Sequence, residues 1–536
     1  MPKLNKTIFI VTAIIFSTSL CAQDKLNIKF GKVSASDFNL PENRYDTAAA
    51  AVIIADVGFS RFEGNNTGGF TLVFEHKQRI KILKQDGVDA ATYDIPLYVG
   101  DAGSEEKLES LKAYTYNLED GKVVETKLNA AQVFKENVSK YWIRKKFTMP
   151  AVKPGSVIEV SYTISSEYLF NLRPWAFQGE YPRLWSEYEV MIPEYFYYVF
   201  LSQGYEPVYN KKIDVTQADF RITDSRTSTQ RADVVEVKAN VNANKWIYKD
   251  VPALKTESFT SAIRNHITKI EFQLSSIKYP NTVENNIMGS WQKVGERYMD
   301  DEKFGFAINR PNNWLDDEML KIEKGAANDL EKAKLIYYFV KDNFKNTGPG
   351  SLKVADNLKT VFNKRSGTQA EINLLLIAIL RHEKIEAYPI FLSTRDHGYT
   401  NEIYPLIERF NYLIVDVVLD KKTYYLDASE STLGFNKLSE DCYNGHARII
   451  SRNPLPVYFY ADSLKERKST TVIINYNDKG ESEGSFNSDL GYYESLSVRN
   501  RIKEKGQDDF FKKIKSSYLT DVDIIDPGID SLKLLE

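Results

Sequence analysis

The sequence predicts an α+β chain. One or two antiparallel β-rich domains lead, a domain of helices followed by strands sits centrally, and a short β-containing region closes the chain. Three observations carry this reading. Val157 to Ile164 alternates, with Ile158, Val160, Tyr162 and Ile164 on one apolar face, the period of a strand packed on one side. Asp120-Gly121 separates two β-forming runs, Leu111 to Leu118 and Lys122 to Leu128, a strong hairpin signal. Between Lys364 and Asp427 the apolar pattern switches from helical spacing to extended runs.

Taken in order, the chain opens with Lys3 and Lys6 before an apolar run from Ile8 to Phe16 and a small, weakly polar stretch from Ser17 to Ala22. This is the pattern of a secretory signal peptide spanning residues 1–22, cleaved near Ala22 or Gln23. The run is short for a membrane anchor, which needs about 20 apolar residues. Thr18-Ser19-Leu20-Cys21 fits the bacterial lipobox poorly, so a lipid-modified Cys21 is the lesser alternative. The mature chain is expected in the periplasm or outside the cell, with no transmembrane segment. Loss of Lys3 and Lys6 takes the formal charge from −3 to −5.

A first β domain is expected over residues 45–210, with Phe70 to Leu83 among its strands. Residues 211–280 are either an extension of it or a second β subdomain, with a polar loop at Asp224 to Thr229 and an apolar run at Ile270 to Ile277. The α+β domain is expected over residues 285–450. Trp291, Val294, Tyr298 and Met299 have helical spacing. Asn328 and Glu331 open a firmer helix with a stripe of Ala333, Ile336, Tyr337, Val340 and Phe344, stopped at Thr347-Gly348-Pro349-Gly350. Thr368 and Glu371 form a second capping box, followed by Ile372, Leu375, Leu376 and Ile379. Three extended runs follow: Ala387 to Leu392, Phe410 to Leu419, and Thr423 to Asp427. Pro454-Leu455-Pro456 marks a boundary. Residues 455–536 then read as a hairpin, Thr470 to Tyr476 with Glu483 to Phe486, and one polar, Lys-rich helix from Leu496 to Ser517. No clear closing element follows, so this region reads as small or incomplete.

The stretch from Ser366 to Asp427 resembles the transglutaminase-like superfamily, the papain-like group of cysteine enzymes. That family places a Cys at the start of a buried helix, a His on a later strand within Phe-Asn-His, and an Asp at the end of the next strand. Here Gly367-Thr368-Gln369 stands in the Cys position, Phe410-Asn411-Tyr412 in the His position, and Tyr425-Leu426-Asp427 keeps the Asp. The strand pattern of the first β domain resembles DUF3857, which precedes transglutaminase-like domains in many exported bacterial proteins, especially of Bacteroidetes.

The departures decide the chemistry. A helix N-terminus helps a Cys ionise, but a Gln amide neither ionises nor attacks. A Tyr hydroxyl, with an ordinary pKa of about 10, is a poor base near neutral pH. Asp427 alone has nothing to orient. No catalytic residue is therefore expected. The expected function is that of a pseudoenzyme, binding a peptide or protein or serving as an envelope scaffold, with Gln369, Glu371, Asn411, Tyr412 and Asp427 as the binding residues. Glu371 is already explained as a cap.

The enzymatic alternative is a cysteine peptidase, amidase or acyl-transferase using a non-standard site. Cys442 and His446, four residues apart, are its candidates, although a free Cys more often packs as a small hydrophobe. His397 lies in a loop between core strands and reads as solvated or capping. Other classes lack support. Charge is mildly negative with no basic field, so no nucleic-acid partner is expected. His76, His266 and His382 lack ligand spacing, HExxH and CxxC are missing, and Asp300-Asp301-Glu302 reads as a solvated charge run, so no metal is expected. No phosphate-binding glycine motif occurs, and no cofactor is expected. Only Cys21 and Cys442 are present, so a mature chain has no intrachain disulfide.

Overall fold

A computed structural model describes residues 26, 28–40, 46–224, 233–257, 260–476, 478–518, 522–532 and 535. The proposed signal peptide, and most of the polar loop after Asp224, lie outside these residues.

The architecture is α+β. An eight-stranded sheet dominates the first half, in the order Asn210–Asp224, Asp233–Val251, Arg183–Pro193, Ala51–Gly64, Phe70–Ile82, Val157–Ser166, Lys107–Glu119 and Lys122–Lys127. Neighbours are antiparallel except Ala51–Gly64 with Arg183–Pro193, which run parallel. The Asp120-Gly121 turn is as the sequence predicts: both residues have positive φ, 47° and 76°, which a two-residue hairpin of this twist requires. Strands on both sides of residue 210 belong to this one sheet. Phe62, Phe70, Leu72 and Phe74 pack it onto a smaller sheet through Phe196, Phe272 and Leu274. A three-stranded sheet adds Ile95, Leu97, Ile143 and Phe147 to the same core.

One expectation is corrected here. The strand Val157–Ser166 is not packed on one side only: Val157 and Glu159 are buried as well. The leader before the first strand covers them. Phe38 packs on Val157, and Gly31 N donates to Glu159 Oε2 at 2.7 Å. Beneath this cover Arg79 is 1% exposed and bonds Glu159 and Asp37, with two further bonds to the Lys29 and Lys32 carbonyls at 3.1 Å. A buried charge survives only when paired and fully hydrogen-bonded, and the leader completes the set.

The central unit is built on a five-stranded sheet in the order Lys422–Leu426, Tyr412–Leu419, Glu386–Leu392, Gly445–Ile449 and Leu455–Phe459. Against one face lies the helix Gln369–His382, buried at every residue from Gln369 to Leu380. Its residues Ile372, Leu375, Leu376 and Ile379 meet Leu413, Val415 and Val417, alternate residues of the neighbouring strand. Burying each such side chain contributes about 1.5–3 kcal/mol. The helices Trp291–Met299 and Asp329–Asn343, with the shorter Gly305–Asn309, Asp316–Ile322 and Leu358–Lys364, add to this core, and Asn328 caps Asp329–Asn343 through its side chain, which accepts from Glu331 N at 2.9 Å. The other face of the sheet holds a smaller cluster of Ile390, Leu392, Ile414, Leu438 and Cys442.

The C-terminal region differs from expectation in one element. The Lys-rich helix is two helices, Tyr492–Lys505 and Gln507–Ser516, broken at Gly506 with φ +85°. Before them the hairpin Lys468–Tyr476 with Ser482–Leu490 has nearly every side chain exposed. Among the described residues no helix is long and apolar enough to cross a membrane.

Candidate functional site

The helix Gln369–His382 is started by Thr368, whose hydroxyl accepts from Glu371 N at 3.3 Å while Glu371 Oε2 accepts from Thr368 N at 2.9 Å. The other carboxylate oxygen, Oε1, accepts from Ala355 N at 2.9 Å. Both oxygens of Glu371 are thus occupied by backbone, in the cap and in the loop beside it.

Gln369 is 4% exposed, and both polar atoms of its amide bond the backbone of one residue. Nε2 donates to Leu413 O at 2.6 Å, and Leu413 N donates to Oε1 at 3.2 Å. The sheet explains this pairing. Leu413 pairs with Phe391 on one side, but the strand on its other side begins pairing only at Val415 with Leu426. The Gln369 amide takes the place of the missing strand neighbour and satisfies backbone groups that burial would otherwise leave unpaired.

Asn373, one helical turn on, links Gln369 to Asp427. Its Nδ2 donates to Leu413 O at 2.9 Å and to Asp427 Oδ1 at 2.8 Å, and its Oδ1 accepts from Ala428 N at 2.9 Å. Asp427, wholly buried, also accepts from Ser429 N and Oγ on Oδ1, at 3.0 and 2.6 Å. Tyr412 Oη donates to its Oδ2 at 2.8 Å. Burial and the Asp427 charge hold the Tyr412 phenol well above the usual tyrosine range. A phenol kept protonated and donating cannot serve as a general base.

The structure thus brings Gln369, Asn373, Asp427 and Tyr412 into one chain of hydrogen bonds. Gln369 and Tyr412 do not bond each other among the described residues. Gln369 meets the backbone of Leu413, whereas the Tyr412 ring packs with Cys442, Leu392 and Ile414. Asn411 stands apart from this chain. It clamps Thr394, accepting from Thr394 N at 2.9 Å and donating to Thr394 Oγ1 at 2.8 Å.

Tyr412 also lines a cavity of about 170 Å³. Thr394, Glu430, Ser439, Asp441 and Cys442 share its wall, and Leu496 and Asn500 of the helix Tyr492–Lys505 line it from the other side. Burial and the charge of Asp427 push the Glu430 carboxyl up to about 7. Cys442 is fully buried. Its burial and then the charges of Asp427, Asp441 and Glu430 push the thiol well above its ordinary range, the reverse of what a nucleophilic thiolate needs. His446 sits elsewhere. Its ring neighbours are Trp291, Phe410 and Tyr458, its Nδ1 meets Thr400 Oγ1 at 2.8 Å, and burial with the nearby Arg448 pushes it down to about 4. No hydrogen bond joins Cys442 and His446 among the described residues. The loop carrying His397 is pinned to the first half of the chain, where Arg264 Nη1 donates to His397 O at 3.1 Å. Among the described residues no group of three His, Cys, Asp or Glu is arranged to hold a metal.

The sequence reading missed Asn373, Glu430 and the two residues from the helix Tyr492–Lys505. Asn373 had a signal: it is a polar residue inside the apolar run from Ile372 to Leu380, and a buried amide needs partners. Glu430 and Asn500 had none, because their place at the cavity depends on long-range packing.

Comparisons with known proteins agree with this layout. Residues 70–277 match DUF3857, a domain of unknown function, and residues 319–425 match the transglutaminase-like superfamily. A search of curated proteins found no match. Among solved structures, a proposed protease from Parabacteroides distasonis is 14% identical and aligns over 79% of this chain and 77% of its own, with a TM-score of 0.47. A proposed cysteine protease from Cytophaga hutchinsonii is 12% identical and aligns over 56% of this chain and 87% of its own, with a TM-score of 0.19. Likenesses this distant transfer no activity. The two family matches identify the chain as a DUF3857 region followed by a domain of the transglutaminase-like superfamily.

Proposed function

We propose that this protein is an exported transglutaminase-like pseudoenzyme that binds an extended peptide or protein segment, as a binding module or envelope scaffold, without cysteine-dependent catalysis or a cofactor. The observation that carries the reading is the Gln369 amide. At the helix start where the superfamily keeps its nucleophile, the amide nitrogen and oxygen each bond the Leu413 backbone. The remnant partners are equally committed, since Asp427 holds Asn373, Ser429 and Tyr412. A site whose polar groups all bond one another is a structural joint, and the remaining chemistry of the cleft is recognition. The domain division that goes with this reading is 45–210, 211–280, 285–450 and 455–536, after a signal peptide at 1–22.

The test is turnover of a panel of peptide amides by the full chain, beside equilibrium binding of the same peptides. Binding without turnover is expected. Amidase activity that disappears with Gln369→Ala would overturn the pseudoenzyme. Activity that disappears instead with Cys442→Ser, together with stoichiometric thiol labelling, would favour the cysteine peptidase, amidase or acyl-transferase. Fractionation of cells expressing the full chain checks export, with a cytoplasmic pool of uncleaved chain as the contrary result.

A further inference from the structure

We propose that the helix Tyr492–Lys505 is an intrachain plug of the Tyr412 cleft, and that a ligand chain binds by taking its place. The inference rests on the peptide-binding reading and concerns how that site is regulated. The cavity under the helix has a volume of about 170 Å³. Pockets that bury most of a ligand run to roughly 300–1,000 Å³. An extended peptide therefore does not fit while Leu496 and Asn500 form the wall, and the wall must move.

The helix is held as a movable wall would be. Of its residues only Leu496 and Arg499 are buried. The rest of its hold is a tyrosine edge, Tyr493 against Tyr443 and Tyr492 under Lys437, and a few polar bonds that are part-buried or exposed. Thr432 Oγ1 donates to Asn500 Oδ1 at 2.7 Å, Lys503 Nζ to Ser431 Oγ at 2.5 Å, and Gly434 N to Tyr492 Oη at 2.9 Å. Its first turn is capped from outside by Glu466, which accepts from Tyr493 N at 2.8 Å. Gly491 permits this approach, since a Cβ there would fall 1.5 Å from the Glu466 carboxylate. The chain reaches the helix through the exposed hairpin Lys468–Tyr476 with Ser482–Leu490, so the helix can leave without disturbing the five-stranded sheet. What it uncovers is a strip of chain, residues 430–443, lying beside Tyr412 and Cys442.

Cys442 supplies the probe, because its thiol lies on the cavity wall under the helix. In a Cys21→Ser chain, the rate of maleimide labelling reads opening directly. Leu496→Asp should raise that rate at least tenfold while the main thermal transition stays in place. In the chain without the Leu496 substitution, hydrogen exchange of amides 492–505 should run at least a hundredfold faster than that of amides 369–382. Unchanged labelling in Leu496→Asp would overturn the plug. So would exchange of both helices together, by global unfolding. The two readings fail separately: if the opened Leu496→Asp chain labels fast yet binds no peptide, the plug stands and the peptide-binding reading falls.

Discussion

Two helices of similar length border the strand that carries Tyr412, one bonded to Leu413 and the other across the cavity that Tyr412 lines, and they are built on different principles. Gln369–His382 is sunk in the core, and its polar residues Gln369 and Asn373 complete the bonding of a neighbouring strand. Tyr492–Lys505 lies on the surface and presents its polar residues to a loop. The first helix is inseparable from the sheet's stability, and the second contributes little to it. Local stability follows buried apolar contact, so the two helices should open on different scales.

The sharpest way to break this contrast is to truncate one leucine in each helix. Leu376→Ala should cost about 2–5 kcal/mol of global stability, the range for a fully packed core leucine. Leu496→Ala should cost about 1 kcal/mol or less, since its surroundings relax into solvent. Urea denaturation of both variants measures this, and equal losses would mean that the outer helix belongs to the core.

Next in size is Asp427→Ala. It strands buried donors on Asn373, Ser429 and Tyr412, and a buried donor without a partner costs about 1–3 kcal/mol. A loss of about 3 kcal/mol is expected in the same denaturation assay. A neutral effect would show that the polar chain is not a joint.

Gln369→Cys restores the family's residue type and should still give no turnover of peptide amides. Tyr412 remains a poor base, and the variant should lose about 1–3 kcal/mol because Leu413 N goes unpaired while Leu413 O keeps only its bond from Asn373. Measurable amidase activity in this variant would reopen the enzymatic reading.

The smallest effect concerns pH. The folded-state pKa of Glu430, about 7, lies above its ordinary value of 4.5, so folding favours the protonated form. The stability this brings is fully present below pH 4.5 and is lost as pH rises to about 7. Glu430→Gln should therefore raise the melting temperature at pH 8 and leave it unchanged at pH 4. A parallel shift at both pH values would remove the carboxyl from the cavity's electrostatics.

Much of the central unit was legible in the sequence because its signals are local. Thr368 with Glu371 announced the helix start, and the leucines and isoleucines that follow announced its burial. The three strands were readable to within two residues, since β-branched runs and turns bound them. What was not legible depends on distance or on weak patterning. The parallel pairing of Ala51–Gly64 with Arg183–Pro193 joins segments more than a hundred residues apart. The break at Gly506 had a signal in the glycine itself, followed by Asp508 and Asp509 as an acidic first turn, but the polar stretch before it has no apolar stripe to fix its phase and a lone Gly inside a helical pattern is often tolerated. At Glu159 the period-two rule failed because a chain segment from elsewhere covers the outer face. The bonding of Gln369 to Leu413 required knowing which strand edge lies open, and only the folded sheet reveals that.

The guanidinium of Arg79 has a consequence for biogenesis. Its last two acceptors are the carbonyls of Lys29 and Lys32, which precede it in the chain by 50 and 47 residues. As the chain is made from its N-terminus, that tail must stay loose until residues 70 to 166 have followed and assembled. Only then does the tail fold back as a gasket over the charge, so a peptidase trimming past Phe38 would unseat a strand it never touches.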